Sequence, residues 1–268
     1  MKFRLAAAVI TAAAALSAAV PAAAAGHGKG HWTTCKPFFR RTISGPWGAY
    51  IIRDDVFTLP GLATTICIRH QRGTPAFAVS SSDAASPGPA LAYPEVFYGC
   101  VYGACSPGTI LPSPLHGGEH GVSAKVRKMS VSVFDKARRK GKFDTGFDIW
   151  LTPDRQTGGQ ATGAEVMIWL REQGVRFTPR WRVRAGGIWW LAEEWRTCHS
   201  NGLCWPLIIF LREHQHSYAR KLPLMPFFAF GEHHGWIRKT FWLESVEHGF
   251  EIWSGGTGLA CTFFRVFP

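Results

Sequence analysis

The sequence predicts an all-β fold, a sandwich or barrel of short strands. Two observations carry that prediction. From about Thr33 the chain reads as short β-rich runs separated by turn-forming residues. In the clearest of these runs, apolar and polar residues alternate at a period of two, so one face packs in a core and the other is left for other work. The chain has 268 residues, 46% hydrophobic and 13% aromatic, which is enough for one sizeable core. No internal repeat, linker or second domain is visible, so residues 26–268 are read as a single domain.

Residues 1–25 stand apart. Lys2 and Arg4 precede an Ala/Val/Leu-rich run, and Ala23 and Ala25 sit at −3 and −1 of a cut before Gly26. This is the pattern of a secretory signal peptide, so the mature protein is expected to be secreted and extracellular. Residues 26–34 are rich in Gly and His and are expected to be mobile. Ala49–Arg53 and Thr64–Ile68 are β-rich, and the Ser/Ala/Pro/Gly-rich stretch 80–90 reads as a loop. Met129–Val133 alternates cleanly. Lys136, Arg138, Arg139, Lys140 and Lys142 lie between two strand patterns and read as a solvated hairpin loop. Ile188–Leu191 and Pro206–Leu211 are further strands. Leu222–Phe230 is the one segment read as a helix, despite Pro223 and Pro226.

Three strands share an unusual grammar. In Gly163–Leu170, Val166, Ile168 and Leu170 point one way, and Glu165, Met167 and Trp169 point the other. In Gly249–Ser254, Phe250 and Ile252 share a face opposite Glu251 and Trp253. In Phe147–Leu151, Asp148 and Trp150 lie opposite Phe147, Ile149 and Leu151. Each strand thus pairs a carboxylate with an indole on its non-core face. Sugars bind through such surfaces, because aromatic faces stack on ring C–H groups while carboxylates take the hydroxyls. Two carboxylates across one groove are the apparatus of glycoside hydrolysis.

Glu165–Leu170 and Gly249-Phe250-Glu251-Ile252-Trp253-Ser254-Gly255-Gly256-Thr257-Gly258-Leu259 resemble the two active-site signatures of glycoside hydrolase family 12. Members of that family are retaining endo-β-1,4-glucanases. The resemblance covers nearly all of residues 33–268 and is strongest in the C-terminal half. It implies a concanavalin-like jelly-roll β-sandwich of two antiparallel sheets, with a concave cleft and one short helix. It assigns the nucleophile to Glu165, the acid/base to Glu251, and the carboxylate that orients the nucleophile to Asp148. Tyr93, Trp150, Met167, Trp169 and Trp253 become the expected sugar contacts. Phe57 joins them, standing near where the family shows an indole. Two regions depart from the family pattern. Arg53-Asp54-Asp55 puts acids where the family has amides, and Arg180, Arg182 and Arg184 replace smaller residues after the nucleophile strand.

The implied activity is a cellulase-type endo-β-1,4-glucanase. A xyloglucanase or mixed-linkage β-glucanase would use the same mechanism. The reading from another class is a non-catalytic carbohydrate-binding protein on the same fold. A β-glucan is the expected partner, with no nucleic acid and no membrane, and the protein is expected to be a monomer. No cofactor and no metal are expected. His214, His216, His233 and His234 show no recognised ligand spacing, and there is no CxxC pair.

Without the leader the chain carries 28 Lys+Arg against 18 Asp+Glu, a net charge of +10, read as a diffuse positive surface. Seven cysteines in an exported protein point to disulfides. Proximity suggests Cys100–Cys105 and Cys198–Cys204, with Cys35–Cys67 as a longer pair and Cys261 left over. The stretch Tyr93–Thr109 also resembles bacterial members of the family in which the first of these pairs is bonded.

Overall fold

A computed structural model describes residues 32–45, 48–57, 61, 63–71, 73–116, 122–137, 140–155, 162–198 and 202–268. The leader therefore lies outside the described residues, as do Arg138 and Arg139. Two sheets make up the fold. The smaller has six strands in the order Trp32–Thr34, Ile66–His70, Phe77–Ser82, Ala260–Phe267, Ser130–Lys136 and Tyr218–Pro223. The larger runs Trp181–Ala185, Ile188–Cys198, Cys204–Arg212, Ala164–Gln173, Gly141–Thr152, Trp242–Gly249, Glu95–Val101, Gly48–Asp54 and Phe39–Gly45, with four short strands attached. The two sheets form the sandwich that the alternating runs allow, and the jelly roll is the form that the family resemblance implies.

The core is built by period-two side chains from both sheets. Ile66, Ile68, Val131, Val133 and Phe264 of the small sheet meet Ile52, Val96, Phe147, Ile149, Val166, Ile168 and Val246 of the large one. The helix Met225–His233 has a proline in its first turn, where the missing N–H costs nothing. It buries Phe227 against Phe210 and Trp190. A second short helix, Val122–Lys128, adds to the one the sequence predicts.

Four expectations need adjustment. Trp32–Thr34 is an ordered edge strand paired to Ile66–His70, so the mobile stretch expected for residues 26–34 does not extend through it. The 80–90 loop is shorter than expected, because Phe77–Ser82 and Ala84–Ala85 are strands and Ser86 N–H donates to the Trp253 carbonyl at 2.7 Å. The basic segment is no hairpin. Ser130–Lys136 and Gly141–Thr152 belong to different sheets and do not pair with each other, and Lys142 lies within the second strand over the Trp253 ring. Finally, the large sheet holds one parallel pair, Ala164–Gln173 with Cys204–Arg212. After Gln173 the chain travels to the sheet edge and returns inward by two hairpins, which reverses the expected direction. Gly186 and Gly187 make the first hairpin turn, both at positive φ, as two-residue hairpin turns require.

The three disulfides are Cys35–Cys67, Cys100–Cys105 and Cys198–Cys204, and Cys261 is free and buried. Cys261 sits beside a polar bridge between the sheets, where the His248 ring nitrogen Nε2 meets Asp135 Oδ1 at 3.0 Å and Thr145 donates to Asp135 Oδ2. No helix among the described residues is long and apolar enough to cross a membrane.

Candidate active site

The large sheet has a second face, turned away from the core, and strand register lays it out as rows. Glu165 stands opposite Trp150 on one side and Leu207 on the other, and Leu207 stands opposite Trp195. The next row runs Ile51, Phe97, Glu247, Asp148, Met167, Ile209. The row after that runs Arg53, Glu95, Gly249, Gly146, Trp169, Leu211. Glu251 follows Gly249 beyond the end of its strand, and its carbonyl accepts the Asp144 N–H at 3.1 Å. The alternation that places Val166, Ile168, Phe147, Ile149, Phe250 and Ile252 in the core therefore delivers Glu165, Asp148 and Glu251 to one surface.

Acids dominate that surface. Glu165 is 9% exposed and Asp148 7%. Trp205 Nε1–H donates to Glu165 Oε2 at 2.8 Å, and the Trp205 ring packs against Trp150 with centroids 5.8 Å apart. Burial pushes the Glu165 carboxyl up to about 8; the Trp205 bond pulls it down, and the Glu251 and Glu247 charges push it further up. Asp148 is held well above the usual carboxylate range by burial and then by the Glu165, Glu247 and Glu251 charges. Burial also raises Glu251, against a hydrogen bond from Asp144. Asp144 is raised well above its ordinary value by burial and then by the Glu251 charge.

One cation serves the neighbouring acids. Arg53 meets Asp55 at 2.8 Å, Glu95 at 2.5 Å and Glu247 at 3.9 Å, and all four are buried. Burial alone would lower the Arg53 pKa, but the three carboxylates outweigh it and raise it. Ser245 Oγ–H donates to Glu247 Oε1 at 2.7 Å.

The expected contacts are placed unevenly. Tyr93 is buried and its hydroxyl donates to the Gly146 carbonyl at 3.3 Å. Met167 and Trp169 lie on the site face but are covered by Val175 and Phe177. Trp150 is tucked against Trp205, and Trp253 is half-buried with the Lys142 ammonium 5.3 Å from its ring centre. Phe57 packs against the sandwich core. Sequence reasoning missed Trp205, Asp144, Glu247 and the Arg53 ion pairs. Asp144 had a readable signal, since it lies four residues before Asp148 on the same strand. The Arg53–Glu95 pairing had none, because it joins strands more than forty residues apart.

Among the described residues, one group of side chains offers metal-ligating atoms close together, Asp135, His248 and Cys261. It lies between the sheets rather than on the site face. His214, His216, His233 and His234 do not join it.

Comparison of the sequence with protein families and with curated proteins finds no match. Solved structures do match. A metagenome-derived glycoside hydrolase family 12 endoglucanase superposes with a TM-score of 0.75 at 25% identity, covering 89% of this chain and 98% of that one. A native endo-1,4-β-glucanase superposes at 0.72 and 28% identity, covering 87% and 97%. The chain is a glycoside hydrolase similar in structure to those of family 12. The hydrolase also shares its fold with a family 12 xyloglucanase from Bacillus licheniformis, at a TM-score of 0.73 and 18% identity, covering 88% and 98%. The acid-lined face of the hydrolase is thus carried by a sandwich that also builds endoglucanases.

Proposed function

We propose that the protein is a secreted, retaining endo-β-1,4-glucanase, with Glu165 as nucleophile, Glu251 as acid/base and Asp148 as the group that orients Glu165. The observation that carries this reading is the placing of Glu165 and Glu251 on one face, Glu165 buried and held by Trp205, Glu251 half-buried, each with its carboxyl raised by burial. Glu251 gives its proton to the glycosidic oxygen as a Glu165 oxygen attacks the anomeric carbon. The C–O bond to the leaving chain breaks and a glycosyl-enzyme forms. Water then loses a proton to Glu251 and attacks the same carbon, releasing Glu165. Asp148 stands in the row next to Glu165, its carboxyl raised by burial and then by the Glu165 charge, and is placed to orient the nucleophile. The leader and three disulfides support export.

Retention requires the two carboxyls to stand roughly 5–5.5 Å apart, too close for a water to enter between nucleophile and sugar. Glu165→Gln and Glu251→Gln are each expected to fold and to lose several orders of magnitude in turnover on barley glucan and carboxymethylcellulose. Proton NMR of the first minutes of hydrolysis should show the β-anomer before mutarotation. An α-anomer first, or a variant keeping more than about a tenth of turnover, overturns the assignment. A xyloglucanase is the second reading, favoured by the shared fold with the Bacillus licheniformis enzyme, and xyloglucan belongs in the same substrate panel.

A further inference from the structure

Two guanidinium groups on the site face take no part in the chemistry proposed above. Trp181–Ala185 is the last strand of the large sheet, and it pairs so that Arg182 faces Leu191 and Arg184 faces Trp189. Leu191 faces Leu211, which faces Trp169, so both arginines share the face that carries Glu165. They stand three strands across from Glu165 and four to six residues along, roughly 20–25 Å by strand spacing and rise. Between them and Glu165, Val175 and Phe177 lie on the apolar patch of Met167, Trp169, Leu207, Ile209 and Leu211.

The charge around these arginines does not balance. Trp189 is 41% exposed, and the guanidinium carbons of Arg182 and Arg184 lie 4.3 Å and 5.9 Å from its ring centre. Glu213 neutralises Arg182 at 2.7 Å. Among the described residues no carboxylate is within ion-pair distance of Arg184, although both guanidinium groups converge on one indole. Two like charges gathered on one ring with a single counter-charge leave a position one anion short. Arginine forks suit a carboxylate there, because two N–H groups can meet its two oxygens. The middle of the face has the opposite character. Asp55, Glu95, Asp148, Glu165 and Glu247 line it with Arg53 as the ion-pair partner of three of them, so a negative substituent is less favoured there than at the arginine edge.

We propose that this edge is an anion subsite for a carboxylate-substituted β-glucan, whose acidic substituent binds Arg184 and Arg182 while an unsubstituted stretch of the same chain reaches the acid-lined centre. The inference rests on the glucanase reading and adds a substrate class to it. Trp195, exposed and in the Glu165 row two strands across, offers an indole to sugars on the same side of the centre as the arginines.

Binding can be read apart from cleavage by using the full chain with Glu165→Gln. In native gels holding either carboxymethylcellulose or neutral hydroxyethylcellulose, retardation should be stronger with the carboxylated polymer. Adding Arg184→Gln should shrink that preference about threefold or more at low salt, and salt should abolish it. Lys136→Gln, which removes the same charge from the other sheet, should shrink it much less. Equal losses from the two variants would mean general attraction of a polyanion to a basic protein, and would overturn the subsite. Equal retardation by the two polymers would overturn it as well. Release of reducing ends by the Glu165→Gln protein would instead sink the catalytic reading, without touching the retardation ratio.

Discussion

At the scale of single residues, the site is a problem of keeping acids where water is excluded. Arg53 does this for Asp55, Glu95 and Glu247, and removing one partner from such a buried cluster costs far more than the cluster contributes, because the remaining charges are stranded. Trp205 does it for Glu165 by a single N–H bond to Oε2. That bond favours the charged form, so it opposes the upward push of burial on Glu165. A nucleophile must be ionised, so activity rises as pH climbs through its pKa. The acid limb of kcat/KM is therefore expected well above the ordinary glutamate value of about 4.3. Trp205→Phe keeps the ring against Trp150 and deletes the donor, and should move that limb further up in pH. An unmoved limb, or one moved down, would show that Trp205 is packing alone. A purely structural loss would lower activity at every pH without shifting the limb.

At the scale of elements, the site depends on how closely neighbouring strands approach. A Cβ added at Gly146 would meet the Ile168 carbonyl oxygen at 2.7 Å and Trp169 Cα at 3.0 Å. Gly146 and Asp148 share one strand, and Glu165 lies on the strand that would be pushed aside. Gly146→Ala is expected to lower stability by about 1–3 kcal/mol and to lower kcat through the altered spacing. Urea unfolding together with turnover on barley glucan checks both, and an unchanged midpoint would show that the strands can give way. Much of this level was legible in the sequence, because a period of two decides which residues share a face. Val166 and Ile168 had to be core if Glu165 was to be out, and Asp148 with Trp150 followed the same rule. What was not legible is pairing across the sheet. Trp205 reaches Glu165 only because Cys204–Arg212 lies parallel to Ala164–Gln173, and a parallel neighbour is set by the long excursion between the two strands. Phe57 shows the converse. It stands near where the family has an indole, yet it packs on the core, since position in a motif does not fix the direction of a side chain beyond a strand end.

At the scale of the whole molecule, the resolved carboxylate shifts run one way. Burial raises Asp54 to about 7, helped by the Asp55 charge, and raises Glu244 to about 8, helped by Glu247. Neither carboxyl has a hydrogen-bond partner. Asp55, Glu95, Asp144, Asp148, Glu165 and Glu251 are raised as well, each with burial as the first cause. A carboxyl whose folded pKa exceeds its unfolded one binds its proton more tightly when folded. Its contribution is complete below the unfolded value of about 4 and is lost as pH rises through the folded value. Stability should therefore decline from roughly pH 4 to pH 8, through the window set by Asp54 and Glu244. The net positive charge of the chain falls over the same range, which relieves self-repulsion and works against the decline. The buried acids are expected to win, because each loses solvation that diffuse surface charge does not restore. Thermal unfolding followed across this range at fixed ionic strength should show Tm falling. Asp54→Asn with Glu244→Gln should flatten the slope, since neither replacement ionises. A Tm that rises steadily from pH 5 to pH 8, or a double variant with the full wild-type slope, would mean that these two acids do not govern the acid dependence of the fold.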